Sequence, residues 1–560
     1  MNGSQLAELR KTKHGRVERN KILSAIGDIT DKFDVEGVCL YGSRATGYAK
    51  PDSDYDLIIA IKEYNSKVRY RYITGEIEIS AILVNSSSLK SDATKASLGE
   101  FVVGRFLNPY QPMTGFDLFS GVERTYKLRV ILETLDDLLS EYGDFVEDLR
   151  IPLEYFLFEK LRKRAAIYPP ASYSYARTYG GINGSKNLKK STVGFLEALR
   201  ELESLRDEVR RIELNKDGSV RVLNGKRRRQ FGRIKTAFFG TQRGLWQYAV
   251  HGYAGRVRPS VVRKELLSKI SRARGSTEGP LAELKDPKTL LKVEEGELLM
   301  EGSDWMAQLL EKLDVDGDYK VTTVKLGGSC TLYSIVVGDS SPRRFVAKRF
   351  RSATSMRQLF SNLRSVPSRS WEFTPLARLH REYSLSRIIR SRDVHTAKIF
   401  AIVLPERIIV REFLDGTDLS SIIGQKGEIS TISSAIRAYG LLLSRIHLRG
   451  FAVGDSRPNN VISSGPQLRV LDWEHATRGG DISWDISEFL YSSLSRNPNP
   501  DFAKNLIRSF FEGYFKKGSH APLAQVMKAR KYFLPFKYGI SRSTAQTIKE
   551  ELARSLSEIS

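Results

Sequence analysis

The chain has 560 residues, too long for one hydrophobic core, so we expect two to four domains. Its composition is globular, with 41% hydrophobic and 28% charged residues, and no apolar run approaches the roughly 20 residues of a membrane helix. Two cysteines exclude a disulfide framework or a cysteine-rich zinc site, and a polar N-terminus without an apolar core predicts a cytoplasmic protein. The net charge of +24 favours a polyanionic partner.

The first predicted elements are a helix and a strand that lead to a glycine turn. An amphipathic pattern over residues 11–33 predicts the helix, and the apolar run Val38–Leu40 predicts the strand. Gly42 and Ser43 come shortly after this strand. Glycine lets a backbone approach a phosphate closely, and a serine hydroxyl with neighbouring N–H groups can hold that phosphate.

Two aspartates open the next strand, after a ten-residue spacer. Asp54 and Asp56 are separated by one residue and precede the apolar run 57–61. Alternate residues of a strand point to the same face, so we expect these carboxylates to project side by side. Adjacent carboxylates repel each other unless a cation lies between them, and hard oxygen ligands suit Mg²⁺.

The Gly-Ser, spacer, Asp-x-Asp pattern resembles the nucleotidyltransferase superfamily, which includes poly(A) polymerases, CCA-adding enzymes and antitoxin-type transferases. The resemblance implies that Asp54 and Asp56 are catalytic and bind Mg²⁺. It also implies that Gly42 and Ser43 bind the nucleotide, which is ATP or another nucleoside triphosphate. The alternative is a surface hairpin that carries two solvated aspartates.

Members of this superfamily usually add a third carboxylate from a later strand. Residues 74–84 predict such a strand, on which Glu76 and Glu78 share a face. Either side chain fits the pattern, and we favour Glu78 as the third catalytic carboxylate.

The middle of the chain is predicted to be mostly helical. Residues 180–185 predict a loop, and residues 275–304, which combine glycine, proline and acids, predict a connector. Apolar residues at helical spacing predict helices over 126–141, 151–166, 193–213 and 260–272.

Much of the positive charge lies in one part of this middle segment. Residues 221–274 contain 15 Lys/Arg and a single acid, Glu265. Arginine pairs with phosphate and aromatic rings stack on unpaired bases, so the segment predicts RNA contact. The alternative is a solvated helical face with core aromatics. The predicted RNA-binding residues are Lys226, Arg227, Arg228, Arg229, Arg233 and Trp246.

The last part of the chain begins with a glycine turn between two apolar strands. Gly327 and Gly328 form this turn, and Lys348 lies on the following strand among apolar residues. An unpaired ammonium is costly in such surroundings, so Lys348 needs a partner. Glu382, in a later helical pattern, is the candidate.

Three further polar residues follow at short spacing. Asp455 lies in a Gly-Asp pair, Asn460 follows five residues later, and Asp472 lies in the sequence Asp-Trp-Glu. Phosphoryl transfer needs a lysine that orients phosphates, an aspartate that orients the attacking hydroxyl, and an asparagine and aspartate that hold Mg²⁺.

Over residues 315–500, this order resembles short atypical branches of the protein-kinase-like superfamily. These are the RIO kinases, the small kinase of the tRNA-modifying KEOPS complex, and aminoglycoside or choline phosphotransferases. The resemblance implies that Asp455 is catalytic, that Asn460 and Asp472 bind metal, and that Lys348 binds the nucleotide together with the glycine turn. It further implies that Glu382 pairs with that lysine.

One more aspartate and two departures accompany this resemblance. Asp485 fits the structural aspartate that braces the catalytic loop. Val453 replaces the histidine that many relatives have before Gly-Asp, where the residue mainly packs. The segment from Asp472 to Asp485 is too short for a regulated activation loop, which argues against a phosphorylation-switched kinase. A degenerate kinase fold used as a scaffold is the alternative.

The sequence therefore predicts an α+β multidomain protein. We expect a nucleotidyltransferase-like domain over 1–120, a helical basic domain with connector over 121–300, and a protein-kinase-like domain over 301–560. The predicted function is a bifunctional transferase that uses ATP and Mg²⁺ on or near RNA. The alternatives are an RNA-binding adaptor with inactive nucleotide folds, or a transferase that acts on a protein or small molecule.

Overall fold

A computed structural model describes residues 16–168, 170–204, 211–223, 284–352 and 374–557, with gaps of one to three residues inside the last two ranges. It divides the chain into two compact units, Met1–Lys292 and Val293–Ser560. Gly327, Gly328, the predicted helix 260–272 and all six predicted RNA-binding residues lie outside the described residues.

The first unit begins with a mixed sheet and continues as helices. Its described strands are β1 (Val35–Tyr41), β2 (Tyr55–Ile61), β3 (Val68–Ile73), β4 (Ile79–Asn85), β5 (Gln111–Thr114), β6 (Leu149–Arg150), β7 (Arg211–Leu214), β8 (Val220–Leu223) and β9 (Lys292–Val293). Its described helices are α1 (Arg16–Ala25), α2 (Gly27–Thr30), α3 (Gly42–Thr46), α4 (Ser86–Lys95), α5 (Phe116–Tyr142), α6 (Leu153–Ile167), α7 (Pro170–Gly180) and α8 (Gly184–Ser204), with short 3-10 helices at Val103–Leu107, Gly143–Asp148 and Pro287–Leu290.

The main sheet of this unit has the strand order β3-β4-β2-β1-β5. Strands β2 and β4 are parallel, and the other neighbouring pairs are antiparallel. Residues 57–61 of β2 are buried on both faces, as expected for a central strand that is covered on two sides. On one face, Ile22 of α1 and Ile26, which follows that helix, pack against Val38 and Leu40 of β1.

The helical predictions for this unit are mostly confirmed. Helix α5 contains the predicted segment 126–141, and α6 covers the predicted segment 151–166 from Leu153 onward. The predicted loop is the tight connection between α7 and α8. The helix predicted over 193–213 is wrong at its end, because α8 stops at Ser204 and Arg211–Leu214 forms β7. The alternation Arg-Ile-Glu-Leu has the period of a strand.

A buried ion cluster stabilises the helical part of the first unit. Glu100 contacts Lys160 at 2.8 Å, Arg129 at 3.1 Å and Arg164 at 3.1 Å. Burial alone would raise the pKa of Glu100, but these three cations outweigh it and hold the pKa well below its ordinary value. The carboxylate is therefore ionised throughout the neutral range.

The second unit contains a sheet followed by helices. Its described strands are β10 (Glu297–Leu299), β11 (Tyr319–Leu326), β12 (Cys330–Val337), β13 (Arg343–Phe350), β14 (Ile399–Val403), β15 (Ile408–Glu412), β16 (Thr417–Asp418), β17 (Phe451–Ala452), β18 (Val461–Ser464), β19 (Gln467–Val470) and β20 (Thr477–Arg478). Its described helices are α9 (Trp305–Lys312), α10 (Pro375–Arg390), α11 (Leu419–Gly424), α12 (Ile429–Leu448), α13 (Ile482–Arg496), α14 (Pro500–Tyr514), α15 (Ala521–Lys528) and α16 (Arg542–Ser557), with 3-10 turns at Pro458–Asn460, Arg530–Tyr532 and Leu534–Phe536.

The large sheet of this unit has the order β10-β14-β15-β13-β12-β11. Its strands are antiparallel apart from β10, which pairs in parallel with β14. A second apolar core lies among α12, α13 and α14, with Tyr439, Phe489 and Phe510 at its centre. No helix among the described residues of either unit is long and apolar enough to cross a bilayer.

Candidate active sites

The glycine turn of the first unit lies directly against one of the predicted aspartates. Gly42 begins α3 with a φ of +76°, and a Cβ atom there would lie 2.0 Å from Asp56 Oδ2. Glycine is therefore needed both for the backbone conformation and for the contact. Ser43 follows in α3, and its carbonyl accepts hydrogen bonds from the N–H groups of Gly47 and Tyr48. The backbone of Gly42 therefore packs directly against the carboxylate of Asp56.

The sheet register brings the predicted carboxylates to one end of two strands. Asp56 pairs with Ser80 of β4, and the N–H of Tyr55 donates to the carbonyl of Glu78 at 2.8 Å. Glu78 therefore runs beside Asp54, just before β4. Residues paired across parallel strands have side chains on the same face. The register thus favours Glu78 as the third carboxylate.

The other candidate carboxylate has a different partner. Glu76 contacts Lys21 of α1 at 2.6 Å, and its side chain is 77% exposed. Lys21 lowers the pKa of Glu76 through a hydrogen bond and its charge. This ion pair directs Glu76 toward α1, so Glu78 remains the better placed of the two residues.

The oxygen-rich donor set of the first site fits a divalent cation. Asp54 and Asp56 supply hard carboxylate oxygens, and the absence of a side chain at Gly42 lets the Asp56 carboxylate pack against the backbone of the turn. Among the described residues, three metal-ligand atoms lie within 4.8 Å of one another only at Glu382, Asp472 and Glu474 of the second unit. The first site is thus an open arrangement rather than a closed cage.

Arg105 is a half-buried residue beside the first site to which the sequence analysis assigned no role. Arg105 donates to the Tyr70 hydroxyl at 3.1 Å, and its guanidinium lies 5.1 Å from the centre of the Tyr41 ring. Tyr41 is the cross-strand neighbour of Asp56. Burial raises the pKa of Tyr41 well above its ordinary value, so its hydroxyl stays protonated. The sequence signal that could have indicated a role for Arg105 is the presence of one charged residue in the otherwise apolar run 101–107.

Helices α7 and α8 support the glycine turn. Asn187 donates to the carbonyl of Thr46 at 2.9 Å, and Asn183 donates to that of Gly47 at 3.1 Å. The hydroxyls of Tyr48 and Ser174 lie 3.2 Å apart. These contacts fix the C-terminal end of α3, so the helical segment helps to set the position of the turn.

In the second unit, the predicted pairing of Lys348 with Glu382 is confirmed. Lys348 Nζ lies 3.1 Å from Glu382, 3.0 Å from Asp472 and 3.3 Å from Glu474. Burial alone would lower the pKa of Lys348, but the charges of Asp472, Glu382 and Glu474 outweigh it and hold that pKa well above its ordinary value. The ammonium therefore occupies the centre of the carboxylate cluster, which is not a ready-made metal cage.

The predicted catalytic loop is held by the predicted structural aspartate. Asp485 accepts hydrogen bonds from the N–H of Val453 at 2.6 Å and of Gly454 at 2.8 Å. His447 of α12 contacts the same carboxylate at 3.0 Å. The bracing role predicted for Asp485 is confirmed, and the loop is fixed although valine replaces the usual histidine.

The loop carries the predicted catalytic aspartate and metal ligands. Asp455 is buried and forms an ion pair with Arg457, whose Nε lies 2.5 Å from one carboxylate oxygen. The side-chain amide of Asn460 donates to the carbonyl of Asp455 at 3.2 Å. The N–H of Leu471 donates to the carbonyl of Asn460 at 2.9 Å, which brings Asp472 to the base of the β18–β19 hairpin beside Asn460.

The donors near this loop also fit a divalent cation. Asn460 and Asp472 offer an amide and a carboxylate oxygen, and the Asp472 side chain is 23% exposed, whereas Glu382 and Glu474 are almost fully buried. The sequence analysis assigned no role to Arg378 and Arg411, which reach the site only through the fold, or to Arg457 and Glu474, which lie within two residues of Asp455 and Asp472.

These two arrangements define the class of the protein. The first unit has the sheet, glycine turn and aspartate pair of a nucleotidyltransferase. The second unit has the Lys–Glu pair, braced catalytic loop and Asp-containing hairpin of a protein-kinase-like fold. The chain is therefore a transferase with a nucleotidyltransferase fold in its first unit and a kinase-like fold in its second.

Comparison with known proteins identifies the family of the first unit. Residues 25–96 match the family described as Polymerase beta, Nucleotidyltransferase. Over 79 residues the chain is 32% identical to the protein adenylyltransferase MntA of Thermococcus cleftensis, a match that covers 13% of this chain and 80% of that protein. The chain belongs, through this segment, to the polymerase beta-type nucleotidyltransferase family.

Two solved structures are similar to part of the chain. WaaP in complex with acyl carrier protein is 15% identical, with 44% of this chain and 98% of that chain covered and a TM-score of 0.25. A proposed aminoglycoside phosphotransferase of Ralstonia eutropha JMP134 is 15% identical, with 45% and 96% covered and a TM-score of 0.27. Because both TM-scores are low, the assignment of a kinase-like fold depends on the site geometry above and not on these two structures.

Proposed function

We propose that the chain is a bifunctional transferase that uses ATP at two sites. The first unit transfers a nucleotidyl group, and the second transfers the γ-phosphoryl group. The contact between Gly42 and Asp56 carries the first assignment, because such close packing of bare backbone on a carboxylate suits a site for metal-bound phosphate. The Lys348–Glu382 pair beside the braced Asp455 loop carries the second.

At the first site, the chain's own residues bind and orient the reactants. Asp54 and Asp56 would hold Mg²⁺, with Glu78 beside them as the third carboxylate. A bound Mg²⁺ supplies Lewis-acid polarisation of the phosphate and lowers the pKa of an acceptor hydroxyl. The backbone N–H groups near Gly42 and the Ser43 hydroxyl hold the triphosphate while the acceptor oxygen attacks the α-phosphorus and pyrophosphate leaves.

At the second site, Asp455 orients the acceptor hydroxyl and accepts its proton. Arg457 pairs with Asp455 and fixes the direction of that carboxylate. Lys348 orients the phosphates together with the predicted glycine turn, and Asn460 and Asp472 would hold Mg²⁺. The acceptor oxygen attacks the γ-phosphorus, and ADP leaves.

RNA is the proposed partner near the first site. Between Glu159 and Glu197 the sequence contains no acid, and α7 and α8 carry Arg177, Lys186 and Lys190 beside the glycine turn that they support. Half-burial and the neighbouring Lys186 lower the pKa of Lys190, so two like charges lie together. Such a surface favours a phosphate backbone.

The same surface carries an aromatic ring that supports this proposal. The Arg177 guanidinium lies 5.3 Å from the ring centre of Tyr173 on α7. Arginine and tyrosine side chains both stack on unpaired bases. The predicted RNA-binding residues from Lys226 to Trp246 would extend this basic surface, and their role stays a prediction.

A protein hydroxyl is the second candidate acceptor. The relative that shares 32% identity is a protein adenylyltransferase, and the family match over residues 25–96 includes the Gly-Ser and Asp-x-Asp segment. This similarity supports adenylylation of a protein as the alternative to transfer to RNA. A small-molecule acceptor is less favoured, because a small substrate does not need an extended basic surface.

Separately labelled ATP tests the proposal. Full-length protein is incubated with α-labelled or γ-labelled ATP, Mg²⁺, and either RNA or a protein acceptor mixture. Transfer of α label to RNA supports the first proposal, and transfer to protein supports the second candidate. Transfer of γ label reports the kinase-like site. RNA binding without transfer of either label would favour an adaptor with inactive nucleotide folds.

A further inference from the structure

Arg378, in the first turn of α10, joins three separate segments of the second unit. Its side chain is 7% exposed, and Nη2 contacts both carboxylate oxygens of Glu474, at 2.8 and 3.0 Å. Nη1 donates to the carbonyl of Ser329 at 2.9 Å and that of Arg351 at 3.3 Å. Ser329 directly follows the predicted glycine turn. One guanidinium therefore links α10 to Ser329, to the end of β13 and to the Asp-Trp-Glu segment.

A second set of contacts lies one helical turn further along α10. Residues four apart share a helix face, so Glu382 lies above Arg378. Its carboxylate accepts from the N–H of Trp473 at 3.1 Å and contacts Arg411 at 3.1 Å, in addition to Lys348. The helix is thus attached to residues 472–474 at two levels.

The charges of this cluster balance. Glu382, Asp472 and Glu474 provide three carboxylates, and Lys348, Arg378 and Arg411 provide three cations. If Asp472 were to bind a metal ion instead of Lys348, the ammonium of Lys348 would still contact the carboxylates of Glu382 and Glu474.

We propose that Arg378 and Glu474 are positioning residues of the phosphotransfer site, which hold α10, Ser329 directly before β12, and Asp472 in their working arrangement. This inference rests on the proposed phosphoryl transfer. Ordinary protein kinases have glycine where this chain has Glu474, and only thirteen residues lead from Asp472 to Asp485, too few for an activation loop. The Arg378–Glu474 ion pair takes the place of such a loop in holding α10.

The test compares Glu474→Gln, Glu474→Gly and Arg378→Lys with a matched control in the full-length chain. Lysine keeps the charge at position 378 but cannot direct one nitrogen to Glu474 and a second to the carbonyls of Ser329 and Arg351. Arg437→Gln is the control, because it breaks an ion pair with Glu512 in the same unit where both side chains are largely exposed. Hydrogen exchange and the kinetics of γ-phosphate transfer are measured for each.

Hydrogen exchange tests the positioning claim without reference to activity. We expect faster exchange in residues 375–390 of the Glu474 and Arg378 variants, with unchanged protection in 429–448 and no change in the control. Unchanged protection of 375–390 in folded Glu474→Gln would overturn the proposal. If the wild-type chain transfers no γ-phosphate, the proposed function fails, and the exchange result decides the positioning claim alone.

The kinetics separate positioning from loss of folded protein. We expect kcat/KM to fall about 10- to 100-fold, as for other residues that orient a site through a neighbour, with a rise in the KM for ATP. Loss of folded protein alone lowers kcat and leaves KM unchanged, which would overturn the claim. The double variant Arg378→Gln/Glu474→Gln should be no worse than the worse single variant, whereas additive losses would contradict a pair that acts as a unit.

Discussion

The substitution Gly42→Ala tests the first site through two effects that the structure separates. The residue has a φ of +76°, and an alanine in that conformation costs about 1–2 kcal/mol. Its Cβ would also lie 2.0 Å from Asp56 Oδ2, so the two atoms must move apart by about 1 Å or more to reach an ordinary contact distance. Displacing a reacting group by about 1 Å costs about 100-fold in rate.

Gly218→Ala is the matched control for this prediction. Gly218 has a φ of +81° in the turn between β7 and β8, and nothing lies within 4 Å of the position of its Cβ. Both variants should lose about 1–2 kcal/mol of unfolding free energy from the backbone, measured by urea denaturation. Only Gly42→Ala should lose about 100-fold in α-label transfer. Equal transfer by the two variants would refute the assignment of Gly42 to the site.

Three further predictions concern the other parts of the chain. Gly454→Ala would place a Cβ 2.2 Å from a backbone carbonyl and should abolish γ-label transfer, whereas Gly450→Ala, with a similar φ and open space, should not. Glu100→Gln should lower the unfolding free energy at pH 7 by about 3–5 kcal/mol, because it removes the carboxylate that pairs with buried Arg164 and leaves Arg129 and Lys160 to share Glu133. Because the pKa of Glu100 is lowered on folding, the wild-type contribution is full above pH 4.5 and falls as the pH drops, so the variant should show a flatter acid slope in denaturation. Replacing Lys186 and Lys190 with alanine should reduce the salt slope of RNA binding by about 1.4–1.8, and an unchanged slope would remove these residues from the RNA surface.

The features that the sequence predicted correctly depend on short-range periodicity. The glycine turn, Asp54 and Asp56 lie on consecutive elements, so strand period and spacing were enough to place them together. The pairing of Lys348 with Glu382 followed from a single physical argument, that an ammonium on an apolar strand needs a carboxylate.

The features that the sequence missed depend on tertiary contacts. Arg105 reaches the first site from a 3-10 helix well beyond the glycine turn, and Arg378 meets Glu474 from 96 positions away in the chain. No local pattern distinguishes these arginines from the many others in a basic chain. The strand β7 was missed because four residues of alternation are too few to outweigh the helical pattern before them.

The most direct test of the two-site proposal compares Asp56→Asn with Asp455→Asn in the full-length chain. Each substitution keeps the size of the side chain and removes one carboxylate. We predict that Asp56→Asn loses transfer of the α label and retains transfer of the γ label, and that Asp455→Asn shows the opposite pattern with nearly unchanged ATP affinity. Loss of both activities in either variant, or loss of neither, would contradict two independent sites.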